Sequence, residues 1–159
     1  MATEKLKFKI ELFATYWNLK PICDISVNDK TFWTGSIMGS EAKPDVIEFE
    51  ADLHEGQDYK LIINRQGKDK KQTILDGEKI IKDQLLHIKT IEIDEINIGA
   101  LVYEGIYRPE YPEPWASQQI KAGVNLPETL KNVTNMGHNG TWTLNFNSPF
   151  YMWLLENLY

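Results

Sequence analysis

Cysteine occurs once, at Cys23, which excludes an internal disulfide and a cysteine-rich zinc site. Arginine is nearly absent: Arg65 and Arg108 stand against fifteen lysines, and the net charge is −6. An acidic, arginine-poor chain is poorly suited to a phosphate backbone, so no nucleic-acid partner is expected. No apolar run approaches the ~18 residues of a membrane helix, and no membrane partner is expected. The opening MATEKLKFKI lacks the apolar core of a signal peptide, which argues against secretory export. Alanine is scarce too, at seven residues. There is no P-loop and no GxGxxG, and GSIMG at Gly35–Gly39 is not a GxSxG elbow.

What is abundant points to sheet. Val, Ile, Thr, Phe, Trp and Tyr make up 50 of the 159 residues. Leu6, Phe8, Ile10 and Leu12 alternate with Lys5, Lys7, Lys9 and Glu11, the pattern of a half-buried strand. Cys23, Ile25 and Val27 alternate likewise and run into an Asn28-Asp29-Lys30 turn, with a third strand over Thr31–Met38. Ile47, Phe49, Ala51 and Leu53 precede a turn at His54–Gln57, and Tyr59, Leu61 and Ile63 follow it. Gly67–Lys71 reads as a basic hairpin tip and Asp76-Gly77 as a further turn. In DQLLHIKTIEIDEINI the apolar steps from Leu86 to Ile98 are 2, 3, 2, 3, 2. That is two strands or one bulged strand, with the extra residues at Lys89-Thr90 and Asp94-Glu95.

Regularity falls after Gly99. Residues 105–140 hold four of the seven prolines. Thr129–Val133 suggests a helical turn, and Trp142, Leu144 and Phe146 a last strand. Ser148-Pro149 reads as an N-cap and first helical position for FYMWLLENLY. The expected fold is all-β: one antiparallel, jelly-roll-like β-sandwich over residues 1–159, with a short C-terminal helix. Cys23 is expected in the core as a small hydrophobe; of Trp17 and Trp33, one is expected in the core, the favoured place for such a ring, and the other exposed.

Ten of the eighteen aromatics lie after Gly99. In GIYRPEYPEPWASQ the prolines favour extended backbone and argue against a regular helix. Tyr107, Tyr111 and Trp115 are therefore expected along a stiff loop. There they suit stacking on a sugar face or an apolar protein surface, with Arg108 and Glu113 as polar partners. The alternative is that the rings fold back over one end of the sandwich.

Glu48, Glu50 and Asp52 form a carboxylate row on one strand face. Such a row is ordinarily a solvated face; paired carboxylates also raise a glycoside hydrolase as an alternative. Neither these residues nor Asp83, Asp94 and Glu95 make a calcium-loop pattern. His54, His87 and His138 are far apart and outside any HExxH motif, so no metal and no cofactor is expected. The terminal helix is apolar on every side. It either plugs the sandwich or docks into a second copy through Phe150, Trp153, Leu154 and Leu158.

The run IIKDQLLHIKTIEIDEINIG (Ile80–Gly99) resembles the late strands of carbohydrate-binding-module sandwiches, with their Asp-x-Leu…Ile-x-x-Ile-x-Ile-Asp pattern. The calcium ligands of the calcium-dependent modules are not matched. LHEGQDYKLIINRQGK (Leu53–Lys68) and the ending SPFYMWLLENLY resemble small β-sandwich proteins of contractile-tailed marine cyanophages. That second resemblance implies a virion-associated or accessory protein, located in a virion or the host cytoplasm. The leading expectation is a non-catalytic module recognising carbohydrate or protein through the aromatic loop. A homo-oligomeric virion subunit is the alternative.

Overall fold

A computed structural model describes residues 2–69, 72–77 and 79–158. In chain order the elements are β1 (Thr3–Thr15), β2 (Ile22–Val27), β3 (Lys30–Ser36), β4 (Asp45–His54) and β5 (Asp58–Gln66). Next come β6 (Ile74–Asp76), β7 (Lys79–Lys82), β8 (Leu85–Ile93), β9 (Ile96–Asn97) and a 3-10 segment at Gly99–Glu104. The rest are β10 (Ile106–Pro109), α1 (Trp115–Lys121), β11 (Leu130–Lys131), β12 (Asn135–Met136), β13 (Gly140–Asn147) and α2 (Phe150–Leu158). One sheet has the order β12-β8-β1-β4, with β9 beside β8. The other runs β11-β10-β13-β5-β2-β3, and β6-β7 is a separate hairpin. The described strand pairs are antiparallel, so this is the expected antiparallel sandwich.

Alternation explains the two layers. Leu6, Phe8, Ile10 and Leu12 of β1 point inward, as do Leu61 and Ile63 of β5 and Trp142, Leu144 and Phe146 of β13. Cys23 is buried as expected, and burial pushes its thiol up to about 12. On the outer face of the first sheet, Lys5, Lys7 and Lys9 stand opposite Asp52, Glu50 and Glu48.

The irregular run resolves into both devices its spacing suggested. Opposite β1, Glu11 pairs Thr90 and Leu12 pairs Ile88, leaving Lys89 as the bulged residue. Asp94 and Glu95 both have left-handed φ (51° and 66°) and turn the chain in two residues from Ile93 to Ile96. The Asp94 carboxylate accepts the Lys7 backbone N–H at 2.8 Å and the Tyr151 hydroxyl at 3.1 Å.

Of the two early tryptophans, Trp17 is the exposed one, and Trp33 is half-buried on an edge strand, packed against the core. Trp17 donates its indole N–H to the Gln72 carbonyl at 2.8 Å, and the Lys82 ammonium lies 4.7 Å from its ring. Thr129–Val133 contains β11, not a helical turn, because Leu130 pairs with Tyr107. Prolines 112 and 114 delimit α1 and do not prevent it. Both lie before its first residue, where a missing N–H removes no helical bond. Lys70, Lys71 and Tyr159 lie outside the described residues.

The terminal helix plugs the sandwich. Phe150, Trp153 and Leu154 are buried, and the Phe150 and Trp153 rings meet Phe146 edge-on at 6.4 and 6.2 Å. Three of the four residues named as an assembly surface are thus consumed inside the chain's own core; Leu158 alone stays exposed. Ser148 is not the side-chain cap. Glu4 from β1 accepts both the Ser148 hydroxyl (2.7 Å) and the Phe150 N–H (2.8 Å), which ties the helix start to the first strand. Among the described residues no helix is long and apolar enough to cross a membrane.

Candidate functional site

The candidate residues divide by strand parity and by the helix that follows. Tyr107 faces inward from β10, opposite Trp142, and is 2 % exposed. Its hydroxyl donates to the His138 carbonyl and accepts the His138 N–H at 2.9 Å. Burial pushes that phenol up to about 12. Tyr107 therefore offers no stacking face, and its inclusion on an open loop is corrected. Arg108, one residue on, faces outward opposite Thr141 and is exposed.

The next two rings stay near the surface. Tyr111 is half-buried, and its hydroxyl donates to the Pro127 carbonyl at 2.6 Å, which fixes the ring. Trp115 opens α1 and is 37 % exposed. The two ring centroids lie 6.2 Å apart with planes inclined by 36°. Glu113 accepts the Ser117 hydroxyl at 2.7 Å and its N–H at 3.3 Å, so part of its carboxylate is committed to starting the helix. The structure thus brings Tyr111 and Trp115 together, keeps Arg108 outside, and removes Tyr107.

His138 completes the cluster and was missed as a ring partner. Its imidazole lies 5.6 Å from Trp115 and 5.2 Å edge-on from Tyr111. The only signal in the sequence is its place just before the Asn139-Gly140 turn. Burial lowers its pKa, and the Lys68 and Arg65 cations lower it further against the opposing Asp83.

A buried polar network supports this end of the sandwich. Arg65 is 0 % exposed and donates from Nη1 to Asn139 Oδ1 at 2.8 Å. From Nη2 it donates to the Gln84 carbonyl and Oε1 at 2.8 and 2.9 Å. Lys68 donates to Asp83 at 2.8 Å and to the Gly137 carbonyl at 2.6 Å. Burial alone would raise the Asp83 pKa. Hydrogen bonds from Lys68, Thr73 and the Gln84 N–H outweigh it and hold the carboxyl below its ordinary value.

Both shifts make acid destabilising. A group whose folded pKa is depressed contributes stability above its unfolded pKa and loses it as pH falls through the folded one. We expect stability to fall as pH drops below the ordinary histidine value of 6.5, and again below the carboxylate value of 3.8. Urea midpoints measured from pH 8 to 3 check this. His138→Gln should flatten the first decline; an unchanged profile would refute its assignment to His138.

The other candidates do not assemble. Glu48 and Glu50 lie on the charge-paired outer face opposite Lys9 and Lys7. His87 is held between Thr15 (2.9 Å) and Asn135 (2.6 Å) and stacks on Phe13. Among the described residues no three His, Cys, Asp or Glu side chains form a metal-sized group.

The fold defines an antiparallel β-sandwich protein. One similar solved structure is the selenomethionine form of vCBM60, with a TM-score of 0.51 and 8 % identity, covering 87 % of this chain and 89 % of that one. Its description concerns two families of calcium-dependent carbohydrate binding modules linked by circular permutation. No protein-family model matches the chain, and no curated protein is significantly similar to it. Nothing in these comparisons supports the phage resemblance.

Proposed function

We propose that this protein is a non-catalytic carbohydrate-binding module. The observation that carries the reading is the exposed Trp115 held beside Tyr111, with planes inclined by 36°. Flat aromatic faces match the C–H faces of pyranose rings, and both rings are braced, so little side-chain freedom is lost on binding. Arg108 and the remaining oxygen of Glu113 supply hydrogen bonds to hydroxyls. The sandwich shared with a carbohydrate-binding module supports the reading. Among the described residues no three His, Cys, Asp or Glu side chains group closely enough to hold a calcium ion, and the proposed recognition uses ring faces and hydroxyl hydrogen bonds. A contact this small gives weak single-site affinity that multivalency raises.

A glycan array with wild type and Trp115→Ala tests this. Loss of a central stacking tryptophan is expected to weaken binding by about 10- to 30-fold, the equivalent of ~1.4–2 kcal/mol. Trp115 also packs on Tyr111 and His138, so the variant's melting curve is recorded beside the array to separate lost binding from lost folding. Binding unchanged by the substitution, or no glycan bound, would overturn the proposal.

A further inference from the structure

The two outer faces of the sandwich differ in kind. The first carries the Lys–Glu/Asp ladder, an ordinary solvated surface. The second carries Asp58 and Lys60 of β5 opposite Asn147 and Asn145 of β13, with Asn28 at the end of β2. Asparagine and aspartate are disfavoured in strands, and the row Asn145, Asn147 departs from what local propensity would choose. Such departures concentrate where a surface serves function.

These residues line an open concavity of about 780 Å³, at the end of β13 remote from Tyr111 and Trp115. That volume is in the range of small-molecule sites. Its walls include Asp29, Ile62 and the edge of Trp153. Asn145 and Asn147 are two residues apart on one face, about 7 Å, and face their partners across about 5 Å. That rectangle is the footprint of one sugar ring. Asn28 is locked in place: its N–H donates to the Lys60 carbonyl and its Oδ1 accepts the Lys60 N–H at 2.8 Å. The Asn145 and Asn147 carboxamides have no hydrogen-bond partner among the described residues.

We infer that this concavity is a second binding site, for one neutral pyranose unit of a carbohydrate chain. A carboxamide donates and accepts at once, as neighbouring hydroxyls do. Asp58 accepts, Lys60 donates, and the half-buried Ile62 offers apolar surface to C–H groups. Two carboxylates against one ammonium disfavour an anionic ligand. The inference shares the carbohydrate reading above and uses a different surface.

Nitrogen-15 NMR separates the two. Wild type is titrated with soluble neutral cello-, xylo-, manno- and galacto-oligosaccharides, following the Asn145 and Asn147 side-chain amides and the Trp115 indole. Saturable shifts at both amides are expected, weakened at least tenfold in affinity in N145A/N147A while the Trp115 response remains. Shifts confined to Trp115 overturn the second site and leave the proposed function standing. Shifts confined to the amides uphold the second site and displace the aromatic pair. No shift with any oligosaccharide overturns both.

Discussion

Gly105→Ala is expected to destabilise the protein by about 3 kcal/mol, near the upper end for overpacking a core. The reason is not backbone freedom, since Gly105 has φ −63° and ψ 146°, a conformation any residue adopts. The reason is Trp142. A Cβ on Gly105 would lie far inside van der Waals contact of the Trp142 indole, at Cε2, Cζ2 and Nε1. Trp142 is itself 0 % exposed and held from both sides, opposite Tyr107 on β10 and Ile63 on β5. The largest ring in a close-packed core has nowhere to retreat. For a chain of this length the melting temperature should fall by roughly 6–12 °C. Trp142→Phe vacates the space the methyl needs, at the expense of a cavity in the wild-type background. The double variant G105A/W142F should therefore be more stable than the sum of the singles predicts, by about 1 kcal/mol or more. Urea denaturation of the four proteins measures this. Additive losses, or a Gly105→Ala variant within ~0.5 kcal/mol of wild type, would refute the packing argument.

The sandwich was legible because each main strand buries one face. β1, β4 and β5 declare themselves through a period of two, and a one-residue slip would turn Phe8 or Leu61 to solvent. The bulge at Lys89 and the turn at Asp94-Glu95 were legible for the same reason: an inserted residue breaks the period at a countable place. Arg65 was equally readable and was passed over. It continues the inward series Tyr59, Leu61, Ile63, and its charge disguised its position. The proline-rich segment was not legible. Whether Tyr107 faces in or out depends on its pairing with Trp142, contributed from 35 positions further along the chain. Likewise β11 exists only because Leu130 meets Tyr107. The exposure of Trp115 depends on Tyr111 and His138, which no local pattern joins to it. The polar row on β13 was visible as the intervening residues of an alternating strand. Only pairing with β5 makes it a surface.

Asn139→Leu is expected to destabilise by about 3–5 kcal/mol, the penalty for stripping a partner from a buried charge. Asn139 Oδ1 accepts two N–H groups, from Arg65 Nη1 at 2.8 Å and from the Lys68 backbone at 3.0 Å, and its amide donates to the Lys68 carbonyl at 3.0 Å. Among the described residues no carboxylate bonds to the Arg65 guanidinium, and its Nε has no partner. Burial already lowers its pKa to about 10. A cation held only by neutral oxygens has little margin, because each lost acceptor leaves N–H charge in low dielectric. Arg65→Met removes the charge and keeps much of the volume, so it should be far better tolerated than Asn139→Leu. In the Arg65→Met background, Asn139→Leu should lose at least ~1 kcal/mol of its penalty, a coupling read from a double-mutant cycle. The remainder belongs to the Lys68 contacts. An equal penalty in both backgrounds would show that the guanidinium is not the cause. The same turn carries His138, whose ring touches both Tyr111 and Trp115. Loosening Asn139 should therefore lower glycan affinity along with stability, and Arg65→Met/Asn139→Leu should recover part of both. Affinity unchanged by Asn139→Leu would mean that the aromatic pair is placed by α1 alone, without the His138 turn.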